Sequence, residues 1–174
     1  MAPSGARGGN RIVPRISPML IELAVLAFWL GAAAFFAVAV APTLFAVLPT
    51  RTLAGEVVGR LLPGVFYSGM VVGLLIVIIE VGGRAAWSWR GREMLGALIV
   101  VACAIAQLIV GPRIARLRAE ISGPIESLPV DDARRMMFGR LHGVSIAWLG
   151  VAMLAAVIAL VLCARSLDTR AVGS

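Results

Sequence analysis

Four long apolar runs, residues 19–41, 61–79, 94–110 and 141–164, are separated by short stretches that hold nearly all the charge. At about 1.5 Å of rise per residue, runs of this length match a hydrocarbon layer about 30 Å thick. Backbone polar groups in lipid must be satisfied within the chain, and the runs carry no alternating strand pattern, so each reads as a membrane-spanning helix. The expected fold is therefore an all-α membrane protein, a four-transmembrane-helix bundle. Composition agrees: the 174 residues are 60% hydrophobic and 14% charged, against about 45–50% and about 25% in soluble domains. A soluble enzyme, a disordered chain and a secreted disulfide scaffold are excluded on that ground. Cys103 and Cys163 both fall in apolar runs and read as small buried residues.

The net charge is +7, and the 16 basic residues are all arginine. Nucleic acid is not the expected partner. The arginines sit between spans, where they anchor helix ends at lipid headgroups. Residues 1–17 read as a basic N-terminal tail and residues 165–174 as a C-terminal tail, flanking one transmembrane domain over 18–164. The first run is too long for the core of a signal peptide and is expected to stay as an anchor. Ser17-Pro18 supplies a helix start, cap first and proline in the first turn. Pro42 is expected to break or kink the first span, and residues 52–60 to form a short interfacial helix. After Gly111-Pro112 the helical pattern resumes. Asp131-Asp132 caps the last helix, whose first turns stand outside the bilayer against the extension of the third. Trp87 and Trp89, beside Arg84, Arg90 and Arg92, form an interfacial belt.

The two halves echo one another. Val40-Ala41-Pro42-Thr43-Leu44 matches Val110-Gly111-Pro112-Arg113-Ile114, and Gly59-Arg60-Leu61 matches Gly139-Arg140-Leu141. Two tandem two-helix repeats, related by an axis along the membrane normal, would give this order. The repeat requires both proline positions to lie at one end of the bundle. Small residues at four-residue spacing, Gly69 with Gly73, Gly139 with Gly143 and Ala152 with Ala156, allow close helix approach, chiefly within the bundle. Four spans return both termini to one side, with the cytoplasmic side favoured by the basic N-terminus and the Trp/Arg loop; in a bacterium this is the inner membrane.

Two kinds of polar residue stand out. Glu22 and Glu80 lie near span ends on the same side, and Gln107 lies deeper. Buried carboxylates in a span are costly and mark function. A salt bridge to Arg84 or to the tail arginines, or plain interfacial exposure, is the favoured reading of the glutamates, ahead of a proton-coupling role, and Gln107 is expected to hydrogen-bond across helices. At the other end Arg60, Arg113, Arg140, His142 and Ser145 are candidates for a polar mouth that contacts an anion or substrate, with Arg60 and Arg140 as symmetry mates. No catalytic triad, paired catalytic acids, Walker loop or dinucleotide fingerprint occurs, so an enzyme is not expected. No metal-ligand or cofactor set is expected either, although His142, the only histidine, leaves haem or metal association as an alternative.

Phe28-Trp29-Leu30-Gly31, Ala41-Pro42-Thr43-Leu44-Phe45, Gly55, Pro63 with Tyr67, Gly111-Pro112-Arg113 and Leu141-His142-Gly143-Val144-Ser145 together resemble the transmembrane protein 205-like family, whose bacterial branch is domain of unknown function 4149. The resemblance runs from about residue 23 to residue 150 and picks out Trp29, Gly31, Pro42, Phe45, Gly55, Tyr67, Pro112, His142, Gly143 and Ser145 as family positions. It implies a four-helix integral membrane protein. The drug-resistance phenotype of its eukaryotic namesake implies export or trafficking. The expected function is small-solute transport or export, or an accessory role in it, by a homo-oligomer or with another membrane partner; a non-catalytic assembly partner is the further alternative.

Overall fold

The computed structural model describes residues 18–82, 90–121 and 123–172, and among them there is no strand. The elements are α1 (Pro18–Phe35), α2 (Ala41–Val47), α3 (Arg51–Gly82), α4 (Arg90–Ala104), α5 (Gly111–Glu120) and α6 (Ala133–Val172). The expected tail over 1–17, Arg84 and the Trp87/Trp89 belt lie outside the described residues.

Neither proline breaks its helix. Between α1 and α2, and between α4 and α5, the chain widens into a π turn, Phe36–Val40 and Ile105–Val110. The backbone N–H of Ala41 reaches back five residues to the Phe36 carbonyl, and that of Gly111 to the Ala106 carbonyl. Pro42 and Pro112 come next. A proline ring in a regular helix collides with the carbonyl four residues back and removes a donor. The wider turn moves that carbonyl aside, and a π bulge is a known way for a helix to run on through such a site. The expected break at Pro42 is thus corrected to a bulge, and residues 18–47 form one helix of 30 residues.

Residues 52–60 are likewise not a separate interfacial helix. They are the first turns of α3, which runs unbroken through Pro63 for 32 residues. The chain turns instead at Leu48, which is extended at φ −77° and ψ 144°, as a residue before proline prefers. Thr50 then accepts the Leu53 N–H on its hydroxyl at 3.1 Å. Glu126, from the loop before α6, adds a bond from the Thr52 hydroxyl at 3.0 Å.

Four helices are long and apolar enough to cross a membrane: 18–47, 51–82, 91–120 and 133–167. Each extends beyond the apolar run that predicts it. Its interior is built from small groups. Ala33, Ala54, Ala102, Cys103, Ala106, Ala152, Ala156, Ala159 and Cys163 are buried, around a few large side chains such as Leu26, Trp29, Phe66, Ile76 and Ile99. The outside is large and apolar, with Phe28, Phe35, Val38, Val71, Leu74 and Leu154 exposed. In water this distribution would be inverted; in lipid, tight backbone approach between small residues is what holds helices together. The chain is a multi-pass membrane protein.

Gly69 packs against the Trp29 ring and the Cys103 sulfur, and Gly73 against Gly96 and Val100. Ala152 and Ala156 are also buried, whereas Gly139 and Gly143 are exposed. Two of the three small-residue pairs are therefore spent inside the bundle.

Candidate functional site

One cluster draws a group from each of the four long helices. Glu22 lies one turn into α1, Glu80 near the end of α3, Arg92 in the first turn of α4 and Cys163 late in α6. Arg92 Nη2 meets Glu80 Oε1 at 2.7 Å, and its Nη1 stands 4.0 Å from Glu22 Oε2. The Cys163 thiol faces Arg92 and donates to the Met19 carbonyl at 3.4 Å. The side chains of Glu22, Glu80 and Arg92 are 1%, 7% and 8% exposed.

The positions of these residues along their helices settle the topology. The start of α1, the end of α3, the start of α4 and the far part of α6 meet, so the helices alternate in direction. The π turns before Pro42 and Pro112 consequently share the opposite end, as the tandem repeat requires. The sequence pairs the glutamates with Arg84 or tail arginines, which fall outside the described residues; the partner in the structure is Arg92, which sequence reasoning placed among the interfacial anchors. Its only signal was position, one turn into a span on the side of both glutamates.

Among the described residues two carboxylates face one guanidinium, and Glu22 Oε1 has no hydrogen-bond partner. A buried charge in such a place is expensive unless paired and hydrogen-bonded.

The end with the π turns is built differently. Arg118, on α5, donates to the Gly55 carbonyl at 3.1 Å and lies 5.2 Å from the centre of the Phe138 ring. His142 stacks on Phe138, with ring centres 6.2 Å apart and planes 4° apart. A Cβ at Gly55 or Gly59 would come within 3.0–3.1 Å of the Arg118 guanidinium, so both glycines make room for it. α5 is thereby fastened to α3 and to the first turns of α6.

Of the proposed mouth residues, Ser145 is buried and His142 half-buried, but Arg60, Arg113 and Arg140 are exposed. Arg60 pairs with Glu56 one turn away at 2.6 Å. Among the described residues no hydrogen bond or ion pair joins Arg60, Arg113, Arg140 and His142. The cation that reaches inward is Arg118, which the sequence reading passed over. Gln107 occupies the second π turn, half-buried, and makes no hydrogen bond to another helix. The expected cross-helix bond is not among those of the described residues. Among the family positions, Trp29 is buried and donates its indole N–H to the Val65 carbonyl at 3.0 Å, while Pro42, Phe45 and Tyr67 are exposed.

The family model described as Domain of unknown function (DUF4149) matches residues 24–122. This stretch holds Glu80, Arg92 and Arg118. An uncharacterized protein of Aquifex aeolicus (strain VF5) is 36% identical over 100 residues, which is 57% of this chain and 70% of that relative. No solved structure matches the chain. With more than half of its length under that family model, the chain belongs to the DUF4149 family.

Proposed function

We propose that this protein is a non-enzymatic component of small-solute transport or export, acting as a homo-oligomer in the bilayer, with the Glu22–Glu80–Arg92 cluster as the part that changes state. The cluster carries the reading. A group of three ionisable side chains shut inside a lipid-facing bundle costs stability, and intramembrane ionisable residues are a functional signal by default. A purely structural node would be cheaper if built from apolar side chains of the same volume.

A single bundle offers no aqueous route on this reading, because its axis is filled by Leu26, Trp29, Phe66, Ile76 and Ile99. The solute path runs between copies of the chain or along a partner. The termini are on the cytoplasmic side, and the partners are lipid and further copies rather than nucleic acid. Cysteines introduced at Ser88 and Ser127 test the orientation: a reagent that cannot cross the membrane labels position 127 from outside and spares position 88.

The functional test is reconstitution. Vesicles holding the wild-type protein, loaded with a small cation, a small anion or a small zwitterion, should release one of these faster than protein-free vesicles, and Glu22→Gln should reduce that rate at least about tenfold. Release equal to protein-free vesicles for all three overturns the transport reading in favour of an assembly partner. A haem absorption band in the purified protein, lost in His142→Ala, would instead support the haem alternative.

A further inference from the structure

Among the described residues the cluster holds two carboxylates and one guanidinium, −1 when all are ionised, and all three side chains are buried. We propose that Glu22 and Glu80 together bind one exchangeable proton, with Arg92 as the fixed counter-charge. The inference rests on the cluster being the working site of the reading above, and it names the ligand. Binding takes a proton from water onto a carboxylate oxygen of the pair and moves the cluster from −1 to 0; release returns it to water.

Three observations carry this. Glu22 is the most enclosed member, and its Oε1 is buried without a hydrogen-bond partner, so its ionised form is poorly compensated there. Both carboxylates stand against the same guanidinium, at 4.0 Å and 2.7 Å, so one proton serves the pair. The exposure falls from Glu80 to Glu22, and Glu80 stands two residues from the end of α3. Of the two, Glu80 is therefore the nearer to the helix end and Glu22 the deeper.

A metal cation fits the place less well. Arg92 already touches one carboxylate and stands 4.0 Å from the other, so a second cation would lie against a guanidinium. Among the described residues no three His, Cys, Asp or Glu side chains gather to hold a metal, and hard cations need about six oxygen ligands. Among the described residues, the groups that face the pair from the packed elements are Arg92 on α4, the Cys163 thiol on α6 and the Met19 carbonyl on α1.

Infrared difference spectroscopy of the full-length protein in lipid nanodiscs reads the proton directly, as a carboxylic-acid C=O band that appears as pH falls and shifts in heavy water. Charge arithmetic sets the expected pattern. Glu22→Gln and Glu80→Gln each leave one carboxylate opposite one guanidinium, a neutral pair, so each loses the band. Arg92→Gln leaves two carboxylates with no counter-charge, so its band persists to higher pH than in wild type. Far-UV circular dichroism and a single elution peak confirm that each variant is folded, and if one glutamine variant does not fold, the other and Arg92→Gln still decide. Exchanging sodium for potassium should change nothing.

A wild-type protein with no such band, a band retained in either glutamine variant, or a band displaced by rising sodium would each overturn the proposal. Its failure is distinct from that of transport. A titrating band in a protein that moves no solute keeps the proton site and ends the transport reading, and solute flux without the band does the reverse.

Discussion

Gly73 and Gly96 face each other across α3 and α4 so closely that a Cβ on Gly73 would stand 2.7 Å from the Gly96 carbonyl oxygen. That oxygen belongs to backbone and cannot swing away. Gly73→Ala is therefore expected to force the two helices apart, at a cost of about 1–3 kcal/mol. Gly59→Ala meets only the far end of the Arg118 side chain, at 3.1 Å, and should cost much less. Gly139→Ala meets nothing within 4 Å and should be neutral or slightly stabilising, since alanine is the better helix former. Thermal unfolding of the three variants in detergent checks the order; equal losses at positions 73 and 139 would contradict the packing.

Removing Arg92 should be the most damaging single change in the bundle. Arg92→Met leaves Glu22 and Glu80 buried together without a cation, and breaking a buried pair from one side costs about 3–5 kcal/mol. Adding Glu22→Gln and Glu80→Gln to Arg92→Met removes the uncompensated charge and should restore most of the loss. The check is a comparison of unfolding midpoints for the single and triple variants. If the triple variant is no more stable than Arg92→Met, the cost lies in lost packing rather than in charge.

Trp29 ties α1 to α3 through the hydrogen bond to Val65 and through contact with Gly69. Trp29→Phe keeps a ring in place and deletes the donor. The expected loss is about 1 kcal/mol, whereas Trp29→Ala adds a cavity and should lose about 3–5 kcal/mol. A Phe variant as unstable as the Ala variant would show that the ring cannot settle without its N–H.

The four spans are legible in the sequence because lipid imposes one rule on every residue of a run, and the rule needs no knowledge of neighbours. Glu22 is legible for the same reason, as a violation of it, and Glu80 as the carboxylate that directly follows a run. Arg92 is not, because an arginine near a span end serves equally as an anchor or as a partner, and Arg84 and Arg90 compete for either role in the same short stretch. Only the meeting of α1, α3 and α4 in space selects it. The proline positions mislead in a different way. Pro42 and Pro112 are correctly marked as irregular, but whether a helix breaks or bulges depends on the hydrogen bond of the residue before the proline, here Ala41 to Phe36 and Gly111 to Ala106. Arg60, Arg113 and Arg140 are exposed, and among the described residues no hydrogen bond or ion pair joins them. Arg118 turns inward instead, where Gly55 and Gly59 admit it.

Outside the spans, one carboxylate sets a pH limit. Asp132 caps α6: its Oδ1 accepts the Arg134 backbone N–H at 2.8 Å, and the Arg134 guanidinium reaches its Oδ2 at 2.9 Å. The side-chain bond to Arg134, with the backbone bond beside it, holds the Asp132 carboxyl down to about 2, below its ordinary 3.8. A carboxyl depressed on folding contributes stability that is complete above its unfolded value and is lost as pH falls through its folded one. The start of α6 should therefore stay closed at neutral pH and loosen between about pH 4 and about pH 2. Carbon-detected NMR of the carboxyl gives the midpoint directly, and amide exchange at Arg134 reports the cap. Asp132→Asn keeps a capping oxygen without the charge, so its Arg134 amide should be protected with no step in this pH range. Should the asparagine variant show the same acid step as wild type, the limit belongs to another group.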